Sequence, residues 1–193
     1  MTKSTPYEVI DNFLPEDEFR PFAYYAMTNF MYGPMDALVH PDESDGSIHN
    51  FGDIYPGTDP STYMFVANLL LRMNKQVELS DFYITQQNTI EQLEKHLNVK
   101  RWWRLRINCT TIQPQQKVAR YHEDYTEKYF ASTKSAILYL NSINGGTKFE
   151  ETGEVVQSKA NRLVRFPTNT PHGAVCQTDA KLRFVMNMNY EEN

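Results

Sequence analysis

The stretch KLRFVMNMNY, residues 181–190, has two different faces. In a strand successive side chains point to opposite sides. Read that way, Leu182, Phe184, Met186, Met188 and Tyr190 share one face, and Lys181, Arg183, Val185, Asn187 and Asn189 share the other. The first face is apolar enough to pack beneath helices. The second face then turns into the interior of a sheet or barrel, where an arginine needs an anion to offset its desolvation.

RLRINCTTI, residues 104–112, repeats the conflict: Arg104, Arg106, Asn108 and Thr110 alternate with Leu105, Ile107, Cys109 and Thr111. If the apolar side is the helix-packed side, Asn108 and Thr110 line the interior. Polar residues inside a small barrel point to a bound polar ligand in place of a dry core. A simply solvated polar face fits the same alternation.

From Lys100 onward the apolar period is 2. Strands are predicted over residues 103–113, 135–141, 148–150, 153–156, 161–166 and 181–190, with turn residues such as Pro167-Thr168-Asn169 between them. Gly145-Gly146 reads as the hairpin turn that opens one of these strands. Upstream, a short strand over residues 7–13 precedes Leu14-Pro15-Glu16-Asp17-Glu18, a helix start with proline and acids in the first turn. Pro21 predicts a kink or a restart, followed by an apolar helix over 22–31. Asp59-Pro60 is an N-cap and first-turn pair for a helix over 60–75. A further helix is predicted from Ser80 or Gln86 to Leu97, with Ile90, Leu93 and Leu97 on one side. Residues 33–59, rich in Gly, Pro and Asp, show little periodicity, and irregular segments of that length are commonly functional loops or disordered ones.

Helices followed by strands imply an α+β, mainly β fold, with helices buttressing one face of an antiparallel sheet or barrel. The 193 residues fit a single domain, with 1–99 supplying support and 100–193 the β core. The chain is 40% hydrophobic and 22% charged, the balance of a globular protein, and the 13% aromatic share favours sheet. Net charge is −5, and the basic residues are scattered apart from Lys100, Arg101, Arg104 and Arg106, so no electrostatic footprint for nucleic acid is present. The interleaving of that cluster with Trp102 and Trp103 keeps a weak nucleic-acid reading open. Two cysteines, Cys109 and Cys176, make no disulfide framework. No signal-peptide core appears at the N-terminus, and the longest apolar run, residues 63–71, is broken by Asn68 and too short for a bilayer. A cytoplasmic protein without membrane contact is expected.

Five histidines are present: His40, His49, His96, His122 and His172. In YHEDY, residues 121–125, His122 and Asp124 lie two apart and share a strand face. The pair alone reads equally as two metal ligands or as two polar residues at a strand end. His172 follows a strand and the turn 167–171, which can bring it back across the sheet to them. Two imidazoles and a carboxylate that leave coordination positions open suit non-haem iron(II).

The ordered set of His122 and Asp124, ILYLN (137–141), GGTKF (145–149), RLVRF (162–166), PHGA with His172, and RFVMNMNY with Arg183 resembles the iron(II)- and 2-oxoglutarate-dependent dioxygenases, within them the prolyl-4-hydroxylase-like branch. The resemblance covers about residues 104–190 and implies a double-stranded β-helix, a jelly-roll or cupin-like barrel. It implies His122, Asp124 and His172 as catalytic iron ligands and Arg183 as partner of the far carboxylate of 2-oxoglutarate, with Lys181 as the competing base. Tyr139 would share that carboxylate, and Asn108 and Thr110 are secondary contacts. The implied cofactors are Fe(2+) and the co-substrate 2-oxoglutarate, with ascorbate a candidate addition. The implied partners are dioxygen and a protein, peptide or small-molecule substrate, a prolyl residue first among them. The implied reaction couples hydroxylation of an unactivated C–H bond to oxidative decarboxylation of 2-oxoglutarate to succinate and CO2; the length of residues 33–59 and their Tyr, His and Asp content add the expectation of a lid or substrate-recognition loop there. Two alternatives remain at this stage: a non-catalytic cupin-like binding protein, and a metal-dependent cupin enzyme that does not use 2-oxoglutarate.

Overall fold

The computed structural model describes residues 5–29, 33–34, 38–39, 48–49, 64–73, 76–124 and 132–193. Strand β1 (Glu8–Ile10) leads into α1 (Glu16–Thr28), followed by the short pieces β2 (Gly33–Pro34), β3 (Leu38–Val39) and β4 (Ile48–His49). Next come β5 (Met64–Met73), β6 (Gln76–Leu79), α2 (Asp81–Thr85) and α3 (Gln87–Leu97). The β core comprises β7 (Val99–Thr111), β8 (Thr133–Tyr139), β9 (Gly146–Phe149), β10 (Val155–Gln157), β11 (Arg162–Pro167), β12 (His172–Val175) and β13 (Leu182–Glu192).

The large antiparallel sheet runs β1-β11-β8-β13-β7-β5-β2, with β6 on β5. A smaller sheet, β10-β9-β12, faces it, and bridges Val118↔Val175 and His122↔His172 add residues 118–122 to its β12 edge. Between the two sheets lies an interior that includes Ile137, Tyr139, Val164, Phe166 and Val185 from the large sheet and Phe149 and Val156 from the small one. The outer face of the large sheet carries the helices. Phe19, Phe22, Ala26, Phe82, Ile90, Leu93 and Leu97 pack there against Leu105, Ile107, Leu138, Phe184, Met186, Met188 and Tyr190.

The alternation of β13 is therefore used as the sequence predicts. Each large apolar side chain under the helices contributes roughly 1.5–3 kcal/mol by burial. A slip of one residue would move Met186 and Met188 into the interior and Arg183 into the helix layer, so this row holds the register.

Helix α1 is continuous through Pro21, where a break was expected. Phe19, Phe22, Ala23 and Ala26 form one buried stripe. Pro21 and Asp17, whose carbonyl loses its N–H partner, both lie on the exposed side, where that carbonyl is open to solvent. Both predicted starts of the later helical region are used. Ser80 Oγ accepts the Tyr83 N–H at 3.3 Å and caps α2, while α3 begins after Gln86 and ends at Asn98 in the left-handed conformation.

The helix predicted over 60–75 is corrected: residues 64–73 form β5, and the Asp59-Pro60 pair lies outside the described residues. The run MFVANLLL fits a buried strand as well as a helix, because apolar runs of this length carry no decisive period. Partners decide it. β5 pairs with β7 from Met64 to Leu71, and a register shift between Asn68 and Leu70 lets the consecutive Leu69 and Leu70 both be buried. The segment 33–59 lies largely outside the described residues, as does His40. Among the described residues no helix is long and apolar enough to cross a membrane, and both cysteines are free and buried.

The strand β1 is tied down by charge. Asp11, which follows it, accepts from Arg162 Nε at 2.6 Å and Nη2 at 3.0 Å and from Lys159 Nζ at 3.1 Å. The Arg162 hydrogen bond is the largest cause that lowers the Asp11 carboxyl to about 2. A depressed carboxyl stabilises the fold above its unfolded value of about 4 and loses that contribution as pH falls towards its folded value. Asp11→Asn is therefore expected to lower the thermal midpoint at pH 6, with the difference from wild type closing between about pH 4 and pH 2, as a calorimetric pH series would read.

Candidate active site

His122 and His172 meet because their backbones pair. Each donates its N–H to the other's carbonyl at 3.0 Å, and the ring centroids lie 4.6 Å apart. The turn that precedes His172 is closed by Thr170 N–H to the Pro167 carbonyl at 3.0 Å, and Asp124 is placed by its own N–H to the Thr168 carbonyl at 3.0 Å. Ligand atoms of His122, Asp124 and His172 all lie within 4.8 Å of one another, and among the described residues this is the one such group of His, Cys, Asp and Glu side chains.

The protonation states suit a metal. His172 Nδ1 lies 2.9 Å from the Thr170 carbonyl, so it is the donor nitrogen, which leaves Nε2 as the nitrogen placed for a ligand bond. Burial, with the neighbouring His172 as the next cause, pushes the His122 imidazole down to about 4, neutral at physiological pH. Burial alone would raise the Asp124 carboxyl, but the Arg104 guanidinium beside it leads the effects that hold it well below the usual carboxylate range. Arg104 Nη2 donates to Asp124 Oδ1 at 2.9 Å, Ser135 Oγ donates to Oδ2 at 2.5 Å, and Asn189 Nδ2 donates to Oδ2 at 3.0 Å.

Deeper in the interior, Arg183 is only 3% exposed, whereas Lys181 is exposed. Arg183 Nη2 donates to the Gly146 carbonyl at 3.1 Å, its guanidinium lies 5.9 Å from the centroid of the Tyr139 ring, and Nε has no partner among the described residues. The register sets Arg183 opposite Thr110 and Val185 opposite both Asn108 and Tyr139, so all five look to one side. Asn108 Oδ1 and Thr110 Oγ1 are buried without a partner among the described residues. The Tyr139 hydroxyl is engaged with Thr147 Oγ1 at 2.8 Å and the Val156 carbonyl at 3.2 Å.

These observations fit an iron(II) ion and a dicarboxylate. Two imidazoles and one carboxylate are a suitable donor set, and an arginine buried without an acidic partner among the described residues needs an anion. All six residues singled out from the sequence, His122, Asp124, His172, Arg183, Tyr139 and Asn108, lie at the inner faces of the two sheets. His96 is exposed and stands apart from this group. Sequence reasoning missed Ser135, Asn189 and Thr147 as site residues and left Arg104 without a role. Their signal was present for two of them: Arg104 and Asn189 fall on the polar faces of their strands.

Gly145-Gly146 is corrected too. Neither glycine has a positive φ, so no turn conformation calls for them. A Cβ on Gly145 would meet the Val175 carbonyl oxygen at 2.5 Å, and one on Gly146 would collide with the Val156 carbonyl oxygen. Close approach of backbones in the small sheet is what requires glycine here.

No family model matches the chain, and no curated protein matches it. Solved structures do. A 2OG-Fe(II) oxygenase family oxidoreductase from Burkholderia pseudomallei superposes with TM-score 0.66 at 11% identity, over 98% of this chain and 87% of that one. A prolyl hydroxylase from Trichoplax adhaerens, in complex with a hypoxia inducible factor oxygen degradation domain peptide, gives TM-score 0.61 at 12% identity over 98% and 84%. HygX from Streptomyces hygroscopicus, with nickel, 2-oxoglutarate and hygromycin B bound, gives TM-score 0.57 at 12% identity over 98% and 84%. The fold is thus the double-stranded β-helix found in 2-oxoglutarate- and iron-dependent oxygenases, as the resemblance of the ordered motifs implies.

Because Gly146 also supplies the acceptor for Arg183, Gly146→Ala is expected to cost about 1–3 kcal/mol of stability through overpacking. Urea unfolding of the variant against wild type measures it.

Proposed function

We propose that this chain is an iron(II)- and 2-oxoglutarate-dependent dioxygenase that hydroxylates an unactivated C–H bond. The carrying observation is the combination of the His122, Asp124 and His172 group with a buried, anion-seeking Arg183 on the same interior. Neither half of that combination is required by the fold alone.

In this reading His122 and His172 hold the metal through neutral imidazole nitrogens and Asp124 through one carboxylate oxygen. Arg183 binds the far carboxylate of 2-oxoglutarate with its planar guanidinium, with Thr110, Asn108 and Tyr139 lining the same pocket. Lys181 is set aside because its side chain is exposed. Phe149, Phe166, Val164 and Val185 form an apolar wall that excludes water and strengthens the charge pairing inside. When bound, iron(II) and 2-oxoglutarate supply the oxidising chemistry, in which dioxygen is reduced, 2-oxoglutarate becomes succinate and CO2, and one oxygen atom enters the substrate. The proposed substrate is a prolyl residue of a peptide, a reading supported by the likeness to the Trichoplax adhaerens prolyl hydroxylase.

Purified protein with iron(II), 2-oxoglutarate and dioxygen is expected to form succinate, with faster turnover on addition of proline-containing peptides. Arg183→Ala should raise the 2-oxoglutarate concentration for half-maximal turnover about tenfold or more, since it removes a buried charged partner. Lys181→Ala should leave it unchanged. A metal-dependent activity indifferent to 2-oxoglutarate and to Arg183→Ala would assign the chain to the cupin enzymes instead.

A further inference from the structure

The Asp124 carboxylate is held by a closed ring of side chains. A carboxylate offers four acceptor sites, two on each oxygen. Oδ2 takes Ser135 Oγ at 2.5 Å and Asn189 Nδ2 at 3.0 Å, which fills it. Among the described residues Oδ1 takes only Arg104 Nη2, at 2.9 Å, which leaves it one further site. The three donors also hold one another. Arg104 Nε donates to Asn189 Oδ1 at 2.8 Å, and Asn189 Nδ2 also donates to Ser135 Oγ at 2.9 Å. Every hydrogen in these contacts has one direction: Nε can only donate, so the Asn189 oxygen must face it and the amide nitrogen must face Asp124.

The ring is a product of register. Arg104 pairs with Asn189 between β7 and β13, and Asn189 pairs with Ser135 between β13 and β8, so the three side chains form one row across three adjacent strands. The row is enclosed: Asn189 is 0% exposed, Ser135 1%, and the Arg104 side chain 18%.

Ser135 and Asn189 already orient the carboxylate from the Oδ2 side. The donor on Oδ1, the oxygen left for a metal, is a full positive charge. We propose that Arg104, which donates to the one Asp124 oxygen that Ser135 and Asn189 leave open, is a positioning residue that shifts the site's charge, so that the divalent ion is held less tightly and a dianionic 2-oxo acid more tightly. This rests on His122, Asp124 and His172 being the metal ligands. A 2+ ion and one carboxylate together carry about +1, and the Arg104 guanidinium places a further positive charge beside them, which favours a dicarboxylate whose far end is met separately by Arg183.

Titration calorimetry with Mn²⁺ alone, and then with 2-oxoglutarate at saturating Mn²⁺, tests this without turnover. Arg104→Gln is expected to bind Mn²⁺ at least as tightly as wild type and 2-oxoglutarate about tenfold more weakly, a single charge acting at effective dielectric about 20. Arg104→Lys keeps the charge and should recover 2-oxoglutarate affinity to within about threefold of wild type. Asn189→Ala should do the reverse of Arg104→Gln, weakening Mn²⁺ about tenfold and leaving 2-oxoglutarate binding unchanged. If Arg104→Gln behaves like Asn189→Ala, the arginine only orients Asp124 and the charge-setting role is overturned. Where Arg104→Gln lacks a cooperative thermal transition, Arg104→Lys decides: retained 2-oxoglutarate affinity supports the role, and its loss refutes it. Wild-type protein that binds no Mn²⁺ overturns the metal reading itself, and this inference with it.

Discussion

The burial of Phe184, Met186, Met188 and Tyr190 beneath the helices is the constraint on which the rest depends. Because side chains in a strand alternate, committing those four residues to the outer face commits Arg183, Val185, Asn187 and Asn189 to the inner one. The hydrophobic gain on one side thereby sustains buried polar groups on the other that would otherwise be too costly to bring inside. The neighbours of β13 repeat the arrangement through register: Leu105 and Ile107 of β7 and Leu138 of β8 face the helices, while Arg104, Asn108, Ser135 and Tyr139 face inward.

Across this inner face charge is graded along the strands. At one end Arg104, Asn189 and Ser135 enclose Asp124; at the other Arg183 stands against Tyr139 and the Gly146 carbonyl. Apolar Val185 and Ile137 lie between the two polar groups on their own strands. A linear anion with a metal-binding end and a charged far end fits that spacing of functions. The two sheets divide the work, since the small sheet supplies the histidines through the His122–His172 bridge and the large sheet supplies the countercharges. The orientations of the Asp124 carboxylate and of the His172 ring are consequences of backbone and strand register, not of flexible side chains finding one another.

The chain shows where local reading succeeds and where it fails. Strands with strict alternation, such as β7 and β13, were legible because a period of 2 has no helical equivalent. Residues 64–73 were not, because a nearly unbroken apolar run satisfies a buried helix and a buried strand alike, and pairing with β7 and β6 chose the strand. Pro21 was read by its intrinsic cost, yet the apolar stripe of α1 outweighed it where its exposed side could be hydrated. Gly146 was read by conformational freedom when its need was space.

For the site, the sequence by itself determined the types and the faces: His122 and Asp124 two residues apart, His172 after a turn, and Arg183 on the polar side of a strand with an apolar back. These are local facts, set by alternation and by side-chain chemistry. Only the tertiary structure decided which interior residue meets which. That Arg104, Asn189 and Ser135 converge on Asp124 depends on the registers of three strands separated widely along the chain, and that Arg183 and not Lys181 is enclosed depends on where β13 enters the sheet. Register is a sum of many cross-strand contacts, so no short stretch of sequence contains it.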